Sequence, residues 1–165
     1  MIYLKKLNPQ KDVGIDYLSW MNDREIHKYT EQRHKKHTIK DIKKFVKEKN
    51  ESNNEFLYGI FLNNNSHIGN IKLGPINHIH KYAVISYFIG VKKLHSKGLA
   101  AKAIKKIIAI AKKKKIRKLK AGVYEMNISS VKVLKKNGFK KEGFLRKEYV
   151  FKKKRIGCYI FGRSV

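Results

Sequence analysis

The sequence predicts an α+β domain around a mixed, mostly antiparallel sheet, and three observations carry that prediction. Apolar residues make up 42% of the 165 residues and are spread along the whole chain, which favours a packed core over disorder. Strand-like and helix-like periods follow one another in the order β-α-α-β-β-β-α-β-α-β-β. An apolar strand, Val84 to Val91, runs through a short basic turn with one glycine into a long amphipathic helix. No repeat and no Pro- or Gly-rich linker interrupts this order, so residues 1–165 are expected to form one domain.

The elements follow in sequence. Residues 2–7 (IYLKKL) predict a short first strand, and residues 13–22 a helix ending in Trp20 and Met21. Residues 24–37 are polar and rich in Lys, Arg and His, and are expected to form a mobile loop. Thr38 suits the N-cap of a helix over 39–49, with Ile39, Ile42, Phe45 and Val46 at helical spacing. Phe56–Leu62 and Ile68–Ile76 predict a hairpin around Asn63-Asn64-Asn65-Ser66, its second strand interrupted near its end by Gly74-Pro75. Tyr82–Val91 is the next strand. A helix from about Gly98 to Lys114 presents Ala100, Ala103, Ile104, Ile107, Ile108 and Ala111 on one face, and the Lys112–Lys115 run reads as its solvated end. Leu119–Val123 is a strand. Asn127–Lys136 is a helix with Val131, Val133 and Leu134 inward, stopped at Gly138 by a left-handed cap. Phe139–Phe144 and Tyr149–Gly162 are expected to close the fold as strands.

Composition narrows the class. No apolar run approaches the roughly 20 residues of a membrane span, the N-terminus has no long apolar stretch, and the single cysteine, Cys158, excludes an internal disulfide. A cytoplasmic protein is expected. The formal net charge is +28, which suits a polyanion partner such as RNA or a ribosome. Abundant Lys, Ile and Asn all have A/T-rich codons, however, and the lysines are scattered rather than set among aromatic residues. A compositional origin is therefore favoured over dedicated nucleic-acid binding. The field attracts anionic ligands either way.

Two segments carry chemistry. In Val91–Ala103, VKKLHSKGLAAKA, a strand delivers the chain into a helix start whose first N–H groups lack internal partners and lie at the positive end of the dipole. Such a place holds a phosphate or pyrophosphate. In Ala121–Gly143, AGVYEMNISSVKVLKKNGFKKEG, Asn127, Ser130 and the Asn137-Gly138-Phe139 stop precede Glu142-Gly143. With both segments at this separation, the chain resembles the GNAT superfamily of N-acetyltransferases over essentially its whole length. It looks most like the branch of ribosomal-protein and amino-sugar N-acetyltransferases.

The resemblance implies a sheet of about seven strands with helices on both faces, and a splayed strand pair that takes acetyl-CoA as co-substrate, with no metal. Amides of Ser96, Lys97, Gly98, Leu99, Ala100 and Ala101 would wrap the pyrophosphate. Ile89, Gly90 and Val91 would pair with pantetheine, and Asn127 would hold its other side, although Asn127 also suits a plain helix N-cap. Lys92, Lys93, Lys97 and Lys102 are candidates for charge neutralisation. Three positions depart from the pattern. His95 and Ser96 stand where Gln, Arg or Trp and then Gly are usual. Leu134 replaces a general-acid Tyr, and Val84 replaces an acidic residue. The substitute catalytic candidates are Glu125, His80 (with His78) and Ser130; Tyr87 and Tyr124 are further candidate acids. Cys158, within a strand and without an activating partner, does not suit a covalent route, so direct ternary-complex transfer is expected.

For the acceptor, the stretches 20–24, 31–37 and 69–77 look like relatives that acetylate amino sugars on nucleotide carriers. Arg24, Lys72 and Tyr87 are candidate substrate-binding residues, with Arg33 and His34 suited to a diphosphate. The alternatives are a ribosomal-protein or other protein N-terminus, and a non-catalytic acyl-CoA-fold protein that binds RNA. A polyamine is disfavoured by the positive field. The oligomeric state is left open between monomer and homodimer.

Overall fold

The computed structural model describes residues 1–165. Seven strands form one sheet: β1 (Ile2–Lys6), β2 (Phe56–Leu62), β3 (His67–Asn77), β4 (Tyr82–Ile89), β5 (Lys118–Tyr124), β6 (Lys140–Phe151) and β7 (Lys154–Ser164). Their spatial order is β1-β2-β3-β4-β5-β7-β6. Four helices join them: α1 (Ile15–Asn22), α2 (Ile39–Glu51), α3 (Leu99–Lys113) and α4 (Ile128–Lys136). Every strand pairing is antiparallel except β4 with β5.

The two faces of the sheet bury separate clusters. α3 packs on β1, β3 and β4 and touches α4. Its Ile104, Ile107, Ala103 and Ala111 join Ile60, Ile71, Leu73, Leu119 and Leu134 in the larger core. Ala101 is also on the buried face, while Ala100 is half-buried. On the other face, Tyr17 and Trp20 of α1 and Ile42 and Val46 of α2 meet Leu57 and Phe61 of β2. The alternation of Leu57 and Phe61 against Ile60 follows from the two-residue period of a strand. Gly90 is required here for space: a Cβ on it would lie 2.1 Å from the Trp20 indole.

Caps close the helices as the residues dictate. Thr38 accepts from the Asp41 amide while the Asp41 carboxylate accepts from the Thr38 amide, a capping box. Gly138 adopts φ 74, and the Phe139 amide returns to the Leu134 carbonyl at 3.1 Å.

Two expectations are corrected. Residues 24–37 are not a free loop. They contain a 3₁₀ turn, Glu31–His34, capped by Thr30, and Asn22 and His37 tie the strap down with reciprocal bonds of 2.8 and 2.9 Å. The last two strands also reverse elsewhere. β6 runs on to Phe151, which pairs with Lys154 across a two-residue turn. Lys152 and Lys153 hold φ 47 and 63 in that turn, as the favoured hairpin geometry demands. Two lysines give no turn signal. The break expected between Phe144 and Tyr149 is a register shift inside β6, with Lys147 at φ 52.

Candidate active site

β4 and β5 share only three rungs, Tyr82↔Lys118, Ala83↔Leu119 and Val84↔Lys120. Beyond them β4 stays with β3, β5 stays with β7, and the two strands part. The opening lies toward Ile89 on one side and Tyr124 on the other.

At the open end, β4 passes through a 3₁₀ turn (Lys92–Leu94) into α3. Ser96 and Gly98 both adopt left-handed backbone, φ 61 and 72. Neither the backbone nor the side-chain hydrogen bonds use the amides of residues 96 to 101, and α3 has no side-chain cap. The first carbonyl of the helix, that of Gly98, is reached by the Lys102 amide at 3.1 Å. Nothing lies within 4 Å of where a Gly98 Cβ would stand. Unpartnered N–H groups in a nest at a helix start form an anion site, so the residues present fit the diphosphate of CoA.

The strand end itself differs from expectation. The Gly90 and Val91 amides turn back to the Ile68 carbonyl, at 2.8 and 3.4 Å, and are not aimed into the opening. The Ile89 carbonyl accepts from the His95 ring at 2.8 Å. Lys92 is ion-paired with Asp23 at 2.6 Å, and holds that carboxyl below its usual range. Lys93, Lys97 and Lys102 remain exposed.

On the opposite lip, the Asn127 side-chain oxygen accepts from the Ser130 amide at 3.2 Å and the Ser129 hydroxyl at 3.1 Å, capping α4. Its amide nitrogen keeps both donors. The Glu125 carboxylate accepts from the Gly157 amide at 2.6 Å and so is tied to β7. His80 lies in the turn before Tyr82, at the paired end of β4. Seven residue steps along the strand, roughly 23 Å, separate Tyr82 from Ile89, which removes His80 from the opening. Tyr87 and Ser130 do come together. Burial raises the Tyr87 phenol above its ordinary pKa, and the Ser130 hydroxyl beside it acts in the opposite direction.

A cavity of about 760 Å³ adjoins the opening. Its walls come from α1, the 24–37 strap, α2, β2 at Leu57, and β3 and β4 at Asn70, Lys72, Ser86, Tyr87 and Phe88. Arg24 is exposed and does not line it. Lys72 does, but it is paired with Glu55, which also holds Lys49. Arg33 is engaged within the fold: it donates to the Thr30 carbonyl at 2.8 Å, the Tyr124 hydroxyl at 3.1 Å and the Val150 carbonyl at 3.0 Å. Tyr124 also donates to Glu31, and burial pushes its phenol up to about 12. Cys158 is buried, which raises its thiol pKa and disfavours the thiolate.

His27 and His37, not singled out from the sequence, stand in the cavity wall. His27 is 2% exposed and meets the Phe88 ring edge-on at 4.9 Å. A histidine set among lysines and glutamates reads as solvated, so no local signal distinguished either one.

The acetyltransferase (GNAT) domain family matches residues 2–140. This chain belongs to that family. The GNAT chain is 34% identical over 103 residues to a probable N-acetyltransferase, YjcK, of Bacillus subtilis (strain 168). The match covers 61% of this chain and 56% of that protein, little more than half the relative's length. Among solved structures, a spermidine N-acetyltransferase from Vibrio cholerae, in complex with CoA and spermine, is 19% identical with a TM-score of 0.86, covering 99% of this chain and 95% of that one. A ribosomal L7/L12 alpha-N-protein acetyltransferase in complex with coenzyme A is 17% identical with a TM-score of 0.88, covering 99% and 94%. A microcin C7 self-immunity acetyltransferase in complex with acetyl-CoA and AMP is 19% identical with a TM-score of 0.84, covering 99% and 92%. At these identities the likeness is one of fold. It accords with the splayed sheet and the helices on both faces of this GNAT chain. No helix is long and apolar enough to cross a membrane.

Proposed function

We propose that the chain transfers an acetyl group from acetyl-CoA to the primary amine of a small polar molecule, directly, within a ternary complex. The observation that carries this reading is the parting of β4 and β5 after three rungs, beside six consecutive unpartnered amides. The amides of Ser96 to Ala101 would hold the diphosphate, with Lys93, Lys97 and Lys102 around it. The free Asn127 donors would reach the pantetheine arm.

The cavity supports a hydroxyl-bearing amine such as an amino sugar. Its carboxylates are already engaged, Glu31 by Tyr124 and Arg33 and Asp41 by the Thr38 cap. A polycation would find no free counter-charge there. The walls offer neutral donors and acceptors instead, and exposed Lys35 and Lys36 on the rim suit the phosphates of a nucleotide carrier.

Calorimetric titration with CoA tests the donor side. The wild type binds; Gly98→Trp, which fills the open space over the loop, weakens binding at least about 10-fold while circular dichroism is unchanged. Equal affinity in the variant refutes the loop assignment. Thiol release from acetyl-CoA over amino sugars, their nucleotides, peptides and polyamines tests the acceptor side. Turnover of spermidine in preference to every amino sugar refutes the acceptor reading.

A further inference from the structure

Four buried side-chain polar atoms in the chain lack a hydrogen-bond partner: His27 Nε2, His37 Nε2, Asn70 Nδ2 and the Tyr87 hydroxyl, which lies beside Ser130 without a well-formed bond. His27, His37 and Asn70 line the cavity next to the opening, whereas the Tyr87 side chain alternates to the opposite face of the sheet, toward α4. Buried polar groups are almost always paired, so the three orphans on one face of the sheet, His27 Nε2, His37 Nε2 and Asn70 Nδ2, point to a ligand that pairs them.

The inner partners settle how the two imidazoles are oriented. The Thr30 hydroxyl donates to the His27 carbonyl at 3.3 Å and lies 3.1 Å from His27 Nδ1. Its one proton is thereby used, so Nδ1 is the donor to Thr30. The Gln32 backbone carbonyl stands by the His37 ring and raises its pKa; with Nε2 unpartnered, the neutral tautomer that serves this carbonyl carries its proton on Nδ1. Each neutral ring therefore turns its N–H inward and leaves a bare lone pair on Nε2 in the cavity wall. Asn70 is fixed in the complementary sense. Its oxygen pairs with His67 Nε2 at 2.8 Å, which leaves its NH₂ unpartnered.

We infer that His37 Nε2 takes the proton that the acceptor ammonium must lose, with His27 Nε2 beside it as a second acceptor that orients the amine. This rests on the acetyl-transfer reading above. An ammonium N–H bond breaks and its proton passes to His37 Nε2. The electron pair left on nitrogen forms a bond to the acetyl carbonyl carbon. The C–S bond breaks and sulfur leaves with its electron pair. The nitrogen sheds a second proton, which the departing thiolate takes up, and the imidazolium returns its proton to water.

His37 is preferred to His27 for the transfer. Burial holds His27 down at about 4, and the neighbouring His37 acts in the same direction. His37 is only half-buried. Burial and then Lys35 lower its pKa, while Asp41 and the Gln32 carbonyl raise it. The other ionisable groups around the space are Glu31, Lys36, Lys72 and Tyr17. Neither Glu125, tied to Gly157, nor His80, at the far end of β4, competes for the role.

Two measurements on the acetyl-CoA-loaded protein decide the matter. Long-range ¹⁵N–¹H spectra of histidine-labelled wild type are expected to show His37 as the Nδ1–H tautomer with Nε2 unprotonated across neutral pH. A proton on Nε2 overturns the assignment. Thiol release is then compared for D-glucosamine, an ammonium at neutral pH, and hydroxylamine, which is largely neutral there. His37→Gln should lower kcat with glucosamine by about 10²-fold, with KM for acetyl-CoA unchanged and hydroxylamine affected less than about 3-fold. Equal losses with both amines overturn the inference. Failure of the wild type to bind acetyl-CoA refutes the donor reading instead. Where binding holds and glucosamine is a poor acceptor, the spectrum alone decides.

Discussion

An imidazole buried against Phe88 makes stability depend on pH. The folded chain holds His27 at about 4, whereas an unfolded chain protonates it near the ordinary value of about 6.5. Between these values the unfolded state binds a proton that the folded state refuses. The contribution is therefore complete above pH 6.5 and is lost as pH falls toward 4, at roughly 1.4 kcal/mol per pH unit. Thermal unfolding at neutral pH and near pH 5 measures it: Tm of the wild type should drop at the lower pH, and His27→Gln should flatten the dependence. An equal slope in both proteins would show that His27 is not responsible. At this scale the sequence disclosed residues whose role is set by immediate neighbours. Thr38, Asn127 and Gly138 cap or stop helices as their chemistry and position require. His27 could not be found that way, because the ring that buries it, Phe88 of β4, is distant in sequence. The internal bonding of Arg33 was hidden for the same reason. Its partners, Tyr124 and Val150, lie more than 90 positions away.

The turn between β4 and α3 carries strain that a glycine would relieve. Ser96 sits at φ 61, where a Cβ costs about 1–2 kcal/mol. Glycine there has an entropic penalty of roughly 0.5–1 kcal/mol. Ser96→Gly should therefore stabilise the chain by about 0.5–1 kcal/mol. Chemical denaturation reads the gain, and CoA affinity should not weaken, since the amide at this position keeps its direction. A destabilised variant would mean that the serine side chain contributes a contact of its own. Elements whose period was strong were legible almost to the residue, α2, α3 and β2 above all. The strap over 24–37 was not. It has no apolar period, and Asn22, Thr30 and Arg33 hold it by polar bonds. The β6–β7 hairpin was legible as strands but not in its turn, because lysines occupy the left-handed positions that Gly or Asn would have announced.

Across the whole molecule, a net charge of +28 surrounds the open loop. An anionic donor should be steered to it, and ions should screen the attraction, since the Debye length falls from roughly 30 Å at 0.01 M to about 3 Å at 1 M. Stopped-flow association of CoA should slow at least about 10-fold from low to high salt, with the dissociation rate changing much less. A salt-independent on-rate would show that the field does not converge on residues 96–101. The number of strands, the parting of one strand pair and the alternation of the core were predictable from periodicity and the family resemblance together. The acceptor's surroundings were not, because they assemble from six separate segments. The three-rung junction between β4 and β5 has one more implication. An open sheet ordinarily has two edges, here β1 and β6. This one has four, since the parted lengths of β4 and β5 each present unpaired backbone to an internal cleft. Unpaired edges invite foreign strands. A bound donor lying between them would cover that backbone, so the molecule that supplies the acetyl group would also shield the chain from aggregation.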